Sequence, residues 1–284
     1  APTVTTLPAT SVSATAGTLN ATGIPNGSAA TGWFRYATTD PGTCDNVFGT
    51  RAPLSGGNAL GSGSSTTPFS VTPMALLPGT TYYFCAIASN AVGTSYGAVL
   101  SFTTPALQPL VTSASTSFIS DTAATLNGSS TPRGDATTAW FRYATSNPGA
   151  CNDAFGTRTP STGGTNVGAG NVAQTFTQLL TGLTPSTTYY WCAIAQNAIG
   201  TTFGSIVTFT TVALPTTITQ AASPVTSTTA TLNSTITPNG TSTTAWFRYS
   251  LTDPTTCNDT FGTRTPLSGG TFVGAGSAPS SNAA

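Results

Sequence analysis

Apolar residues along this chain come in short runs, rich in aromatic and β-branched side chains and separated by Gly, Pro, Asn and Asp, which is the punctuation of a β protein. The Ser/Thr/Ala stretches ending at Leu19-Asn20, Leu126-Asn127 and Leu232-Asn233 read as strands. Turn signals follow at Pro25-Asn26-Gly27, Pro132-Arg133-Gly134 and Pro238-Asn239-Gly240. Next come a WFRY strand and a long Gly/Ser/Pro-rich segment carrying a cysteine. A run from Phe176 to Leu183, a turn at Pro185, the strand TTYYWCAIAQN and a last strand ending in FTT complete the pattern. Many short strands with turns between them predict an all-β fold of antiparallel sandwiches.

The pattern is written three times. WFRYATTDPGTCDNVFGTR begins at Trp33, WFRYATSNPGACNDAFGTR at Trp140 and WFRYSLTDPTTCNDTFGTR at Trp246, spaced by 107 and then 106 residues. A constant period near the size of one small domain indicates tandem copies of one folding unit. The chain divides into repeats at 1–108, 109–214 and 215–284, the last of them partial. The junctions TTPALQPL and TTVALPTT carry Pro and lack Gly, so they predict short, stiff connectors and a semi-rigid rod.

Charge changes the picture next. Only 5% of residues are charged, seven Arg against seven Asp, with no Lys, Glu or His; typical proteins carry about 25%. Net charge zero gives no basic footprint for nucleic acid. No apolar run approaches the length of a spanning helix, so no membrane insertion is expected. A sparsely charged, neutral surface favours association. Without His, neither a His-based nucleophile nor a zinc hydrolase site can be assembled. The pair Asp40 and Asp45 loses its first member to Asn147 in the second copy and reads as turn chemistry, so no enzyme is expected. No cofactor is expected; calcium is the one ion with oxygen donors on offer, at Asp40, Asp45 and Asn46. Sequons fall at Asn20, Asn26, Asn127, Asn233, Asn239 and Asn258.

Cys44 and Cys85 are 41 residues apart, as are Cys151 and Cys192. A cysteine pair recurring at one offset in each copy reads as a disulfide framework and implies an extracellular or cell-surface location. Cys257 matches Cys44 and Cys151 and has no partner within the chain.

The run ATLN…TPNG…TTAWFRY…GLTPSTTYYWCAIAQNAIGTTFG…FTT, taken across the copies, resembles the bacterial fibronectin type III domain, an Ig-like β-sandwich. Leu183, Pro185 and Tyr189 resemble that family's tyrosine corner; copy one offers Leu76 or Leu77, Pro78 and Tyr82. The Trp expected in an early strand is absent, a Trp stands in the third strand instead, and a Cys-bearing insert follows it.

The family register turns Phe34, Tyr36, Phe84, Ala86 and Ala88 inward with Tyr82. It turns Trp33, Arg35, Tyr83, Cys85 and Ile87 outward. Such an apolar outer face is expected to be covered by the insert, pinned through Cys44 to Cys85, with Phe48 near Trp33 and Tyr83. Arg35 is expected to stack on Trp33, and Asp45 with Arg51, like Asp153 with Arg158, to pair at the insert's edge. The competing expectation is an exposed glycan-binding patch of Trp33, Arg35 and Tyr83, with Trp140, Arg142 and Tyr190 as its second copy.

Two functions compete. One is an extracellular structural rod, serving as a surface fibre, filament subunit or adhesin stalk and self-associating through its incomplete third domain. The other is a carbohydrate-binding or spacer module of a larger secreted enzyme, an expectation that rests on analogy with the family. The third copy is expected to lack the equivalent of Phe176 onward, leaving sheet edges open. Continuation of the polypeptide or strand addition from a neighbour would complete it. An intact mass well above 28.4 kDa would favour the first route.

Overall fold

The computed structural model describes residues 1–284. The first unit has nine strands: β1 (Thr3–Thr10), β2 (Thr18–Ile24), β3 (Ala30–Ala37), β4 (Thr50–Ala52), β5 (Asn58–Gly61), β6 (Thr67–Val71), β7 (Thr81–Asn90), β8 (Gly93–Tyr96) and β9 (Leu100–Thr103). One sheet has the order β1-β2-β6. The other has the order β4-β3-β7-β8, with β5 also on β3 and β9 also on β7. All pairs are antiparallel. This is a fibronectin type III/Ig-like sandwich.

The second unit repeats it with β10 (Leu110–Ser113), β11 (Ala124–Thr131), β12 (Thr137–Ala144), β13 (Thr157–Thr159), β14 (Thr165–Gly168), β15 (Gln174–Leu180), β16 (Thr188–Asn197), β17 (Gly200–Phe203) and β18 (Val207–Thr210). Its sheets are β10-β11-β15 and β13-β12-β16-β17, with β14 on β12 and β18 on β16. Leu19-Asn20 and Leu126-Asn127 fall inside β2 and β11, not at the ends of strands. Asn20 and Asn127 each donate Nδ2–H bonds back across the sheet edge, to Pro8 O at 3.0 Å and Ser115 O at 2.7 Å.

Alternation builds the core. Leu19, Phe34, Phe69, Phe84 and Ala86 meet between the sheets of the first unit, and Leu126, Phe141, Phe176, Trp191 and Ala193 in the second. The corner is closed by Tyr82 Oη, which accepts from Leu77 N–H at 2.9 Å, and by Tyr189 Oη, which accepts from Thr184 N–H at 2.9 Å. The buried corner leucine of copy one is Leu76; Leu77 points outward. The strand β7 changes partner midway, from β9 to β8, and at that break Ala86 N–H is satisfied by Thr6 Oγ1 at 3.1 Å.

The first two units meet end to end. Leu107 N–H donates to Arg133 O at 3.0 Å, and Asn171 Nδ2 reaches Pro78 O at 2.9 Å. Gly79 and Gly134 lie back to back, so close that a Cβ on Gly134 would stand 2.5 Å from Gly79 Cα.

The third unit comprises β19 (Thr216–Gln220), β20 (Asn233–Thr237), β21 (Thr243–Ala245), β22 (Phe247–Tyr249), β23 (Thr263–Thr265), β24 (Thr271–Gly274) and β25 (Ser280–Ala283). It corrects one expectation. Ser234 pairs with Asn282 in the register in which Gly128 pairs with Phe176. The strand containing Phe176 therefore has its counterpart in β25, and Asn282 stands in the place of the core phenylalanine.

Candidate functional site: the lid over the outer face

In each of the first two units the insert folds back over the outer face of the larger sheet. Cys44 is bonded to Cys85 and Cys151 to Cys192, each pair with Cα atoms 6.0 Å apart. Beneath the lid, Trp33, Cys85 and Ile87 pack with Cys44 and Phe48 into a small core separate from the sandwich. Trp140, Cys192 and Ile194 do the same with Cys151 and Phe155. Tyr83 and Tyr190 are half-buried and lie outside these clusters. Trp33 is 8% exposed and Trp140 4%. The expected exposed patch is thus corrected: its two tryptophans lie under the lid and offer no face to a sugar ring.

The polar parts of the lid differ from expectation in a consistent way. Arg51, not Arg35, lies over the Trp33 ring, at 4.8 Å; Arg158 and Arg264 hold the same place over Trp140 and Trp246. The reason is register. Arg35 faces Arg51 directly across β3 and β4, so the Arg51 side chain reaches Trp33 on the diagonal. Its guanidinium also donates to Pro53 O, at 2.7 Å, and to Gly56 O. Arg35 turns to the lid backbone and donates to Phe48 O and Gly49 O, both at 3.1 Å.

The expected Asp45–Arg51 and Asp153–Arg158 pairs do not form. Asp45 Oδ1 accepts from Val47 N–H and Phe48 N–H, both at 2.8 Å. These two bonds hold its carboxyl below the usual range. Asn152 and Asn258 cap the same turn in the other copies. Asp153 is one position further on. Its Oδ1 accepts from Trp140 Nε1 at 2.9 Å and from Arg142 Nε at 2.8 Å. Burial works to raise its pKa, but the bonds from Arg142 and Trp140 and the charges of Arg142 and Arg158 together pull it below the usual value. Asp259 bridges Trp246 and Arg248 likewise.

In copy one the order is reversed, Asp45-Asn46 against Asn152-Asp153 and Asn258-Asp259. Asn46 Oδ1 still accepts from Trp33 Nε1 at 3.0 Å, but Arg35 Nε is left buried without a partner. Comparing the three Asp/Asn pairs position by position could have revealed this difference from sequence alone.

The three calcium donors are engaged within the lid instead. Asp40 Oδ1 accepts from Gly42 N–H at 2.8 Å, Asp45 caps the lid turn, and Asn46 holds Trp33. No group of three or more His, Cys, Asp or Glu side chains converges anywhere.

The third lid keeps its fold without a disulfide. Arg248 donates to Phe261 O at 2.8 Å and Asp259 is bridged as above, yet Trp246 is 40% exposed and Cys257 is a free, exposed thiol.

No family model matches the chain, and no curated protein matches it. Among solved structures, the FN1–FN3 domains of chicken CNTN1 align with 84% of this chain and 75% of that one, at 15% identity and a TM-score of 0.40.

Proposed function

We propose that this chain is an extracellular or cell-surface structural repeat protein: a disulfide-stapled rod that serves as a surface fibre, filament subunit or adhesin stalk, with no catalytic role. The observation that carries this reading is the lid. In two successive units the apolar outer face of the larger sheet is closed by a pinned insert, in a chain of which only 5% of residues are charged. The joint between the first two units supports it too, because hydrogen bonds cross it and two glycines meet back to back. Disulfides of this kind persist in oxidising compartments.

Small-angle scattering tests the reading. An elongated particle is expected, with dimensions and association unchanged between low and moderate salt, because there is little charge to screen. A compact particle, or assemblies that dissolve as salt rises, would sink it.

A further inference from the structure

The two joints of the array are built on corner turns of one backbone design that differ at the crest. Leu76-Leu77-Pro78-Gly79-Thr80 makes the turn that the first unit presents to the second, and Leu183-Thr184-Pro185-Ser186-Thr187 makes the corresponding turn of the second unit. Gly79 and Ser186 hold the same left-handed backbone, with φ of +57° and +51°. Each donates its N–H to the connector that follows, Gly79 to Pro105 O and Ser186 to Val212 O, both at 3.2 Å. Thr80 and Thr187 each donate a hydroxyl to the carbonyl of the turn proline, at 3.0 and 2.9 Å. What Gly79 lacks and Ser186 has is a Cβ.

At the first joint that missing atom lets the neighbour in. A Cβ on Gly79 would stand 2.4 Å from both Cα and O of Gly134, a contact that real Cβ atoms do not make. Only glycine permits this approach of backbone to backbone. Seated this closely, the second unit reaches across with Asn171, whose Nδ2 donates to Pro78 O at 2.9 Å, and Pro78 is buried. At the second joint Ser186 carries the atom for which the first joint has no room, so the third unit cannot seat in the same way. Gly240, the counterpart of Gly134, is exposed, and a Cβ there would meet nothing nearer than Val212 Cγ1 of the connector, at 3.8 Å. Ser277 stands in the place of Asn171, and Pro185 is only half-buried. No hydrogen bond runs directly from the third unit to the second. The connector alone links them, through Asn239 Nδ2 donating to Leu214 O at 2.6 Å.

We propose that the Cβ at the crest of the corner turn decides whether two successive units move as one body: Gly79 joins units one and two, and Ser186 makes the second joint a hinge about residues 212–215. Units that meet through a small polar contact move relative to one another by default. Stiffness therefore has to be built, and at the first joint it is built from the Gly79–Gly134 approach and the Asn171 bond which that approach allows. The inference goes beyond the rod reading, giving the array one stiff joint and one bending point, and does not depend on its being a fibre.

The test uses the full chain, weakly aligned, with residual dipolar couplings of the backbone amides fitted unit by unit. Units one and two are expected to share one alignment tensor, and the third unit to show one roughly twofold weaker, averaged by its swinging. Gly79→Ser is expected to fold, because Ser186 already occupies the same turn at the same φ, and to give units one and two separate tensors while the Cys44–Cys85 disulfide stays formed. Both units compared in that variant are whole sandwiches, so its result owes nothing to the third. One tensor common to all three units in the unmodified chain, or one still shared by units one and two in Gly79→Ser, would overturn the proposal. Assemblies that dissolve as salt rises in the scattering experiment would remove the fibre reading and leave these tensors unchanged.

Discussion

Asn46→Asp should strengthen the first lid, and the second lid supplies the size of the effect. In copy two, Asp153 takes hydrogen bonds from both Trp140 and Arg142. In copy one, Asn46 keeps only the tryptophan, and Arg35 Nε is buried with nothing to bond. Restoring the carboxylate adds one charge-assisted bond, worth ~1.5–3 kcal/mol where well shielded. Asp153 is 44% exposed at its side chain, which pulls the value towards that of surface pairs. The net expectation is about 1 kcal/mol, or about a fivefold smaller equilibrium constant for lid opening. Hydrogen exchange of the Phe48 and Gly49 amides in the full chain reads it directly.

The pH dependence has a definite sign. Asp153 shows that a carboxyl at this position has its pKa lowered on folding. The stabilisation is therefore fully present above the unfolded aspartate value of ~3.9 and is lost as pH falls through the lower folded value. Asn46→Asp should slow exchange at pH 7 and do nothing at the acid end. Asp153→Asn should show the mirror image in the second lid, with its turn still capped by Asn152. If Asn46→Asp left exchange unchanged at pH 7, or if its effect survived full protonation, the bridging carboxylate would not be what holds the lid.

Three further outcomes are expected. Replacing Cys44 and Cys85 together by Ser should destabilise the first unit by about 4 kcal/mol, from the entropy of a loop closed over a separation of 41 residues, as read by its unfolding in denaturant. Tyr82→Phe removes the acceptor of the Leu77 N–H bond and should cost about 1 kcal/mol in the same assay. Gly134→Ala places a Cβ 2.5 Å from Gly79 Cα at a residue with φ of +95°, so it should break the joint and lengthen or bend the scattering profile while both sandwiches stay folded.

What the sequence disclosed, and what it hid, follows from the kind of physics each feature rests on. The inward and outward faces of β7 were legible because a strand alternates with period two and one anchored residue, Tyr82, sets the others; those of β3 came from the resemblance to the fibronectin type III register. The Leu76/Leu77 ambiguity was not legible, since both are apolar and only the corner geometry buries the first. Pairing across the lid was misread because proximity along the chain is a poor guide where strands bring distant residues level. Asp153 is five residues from Arg158, but the turn capped by Asn152 aims it at Trp140 and Arg142. That error exposes a property of the array. Arg35 stands directly opposite Arg51, Arg142 opposite Arg158 and Arg248 opposite Arg264, a like-charge pair that destabilises unless something sits beside it. Copies two and three place an aspartate there; copy one places an asparagine, and the nearby Arg35 charge works with burial to lower the pKa of Arg51. Repeats of one fold are thus unequal in electrostatics. The first lid, where Asp45 acts on Arg35 only through space and no carboxylate is hydrogen-bonded to the pair, should open most readily of the two that carry a disulfide, and hydrogen exchange of the unmodified chain should rank it so.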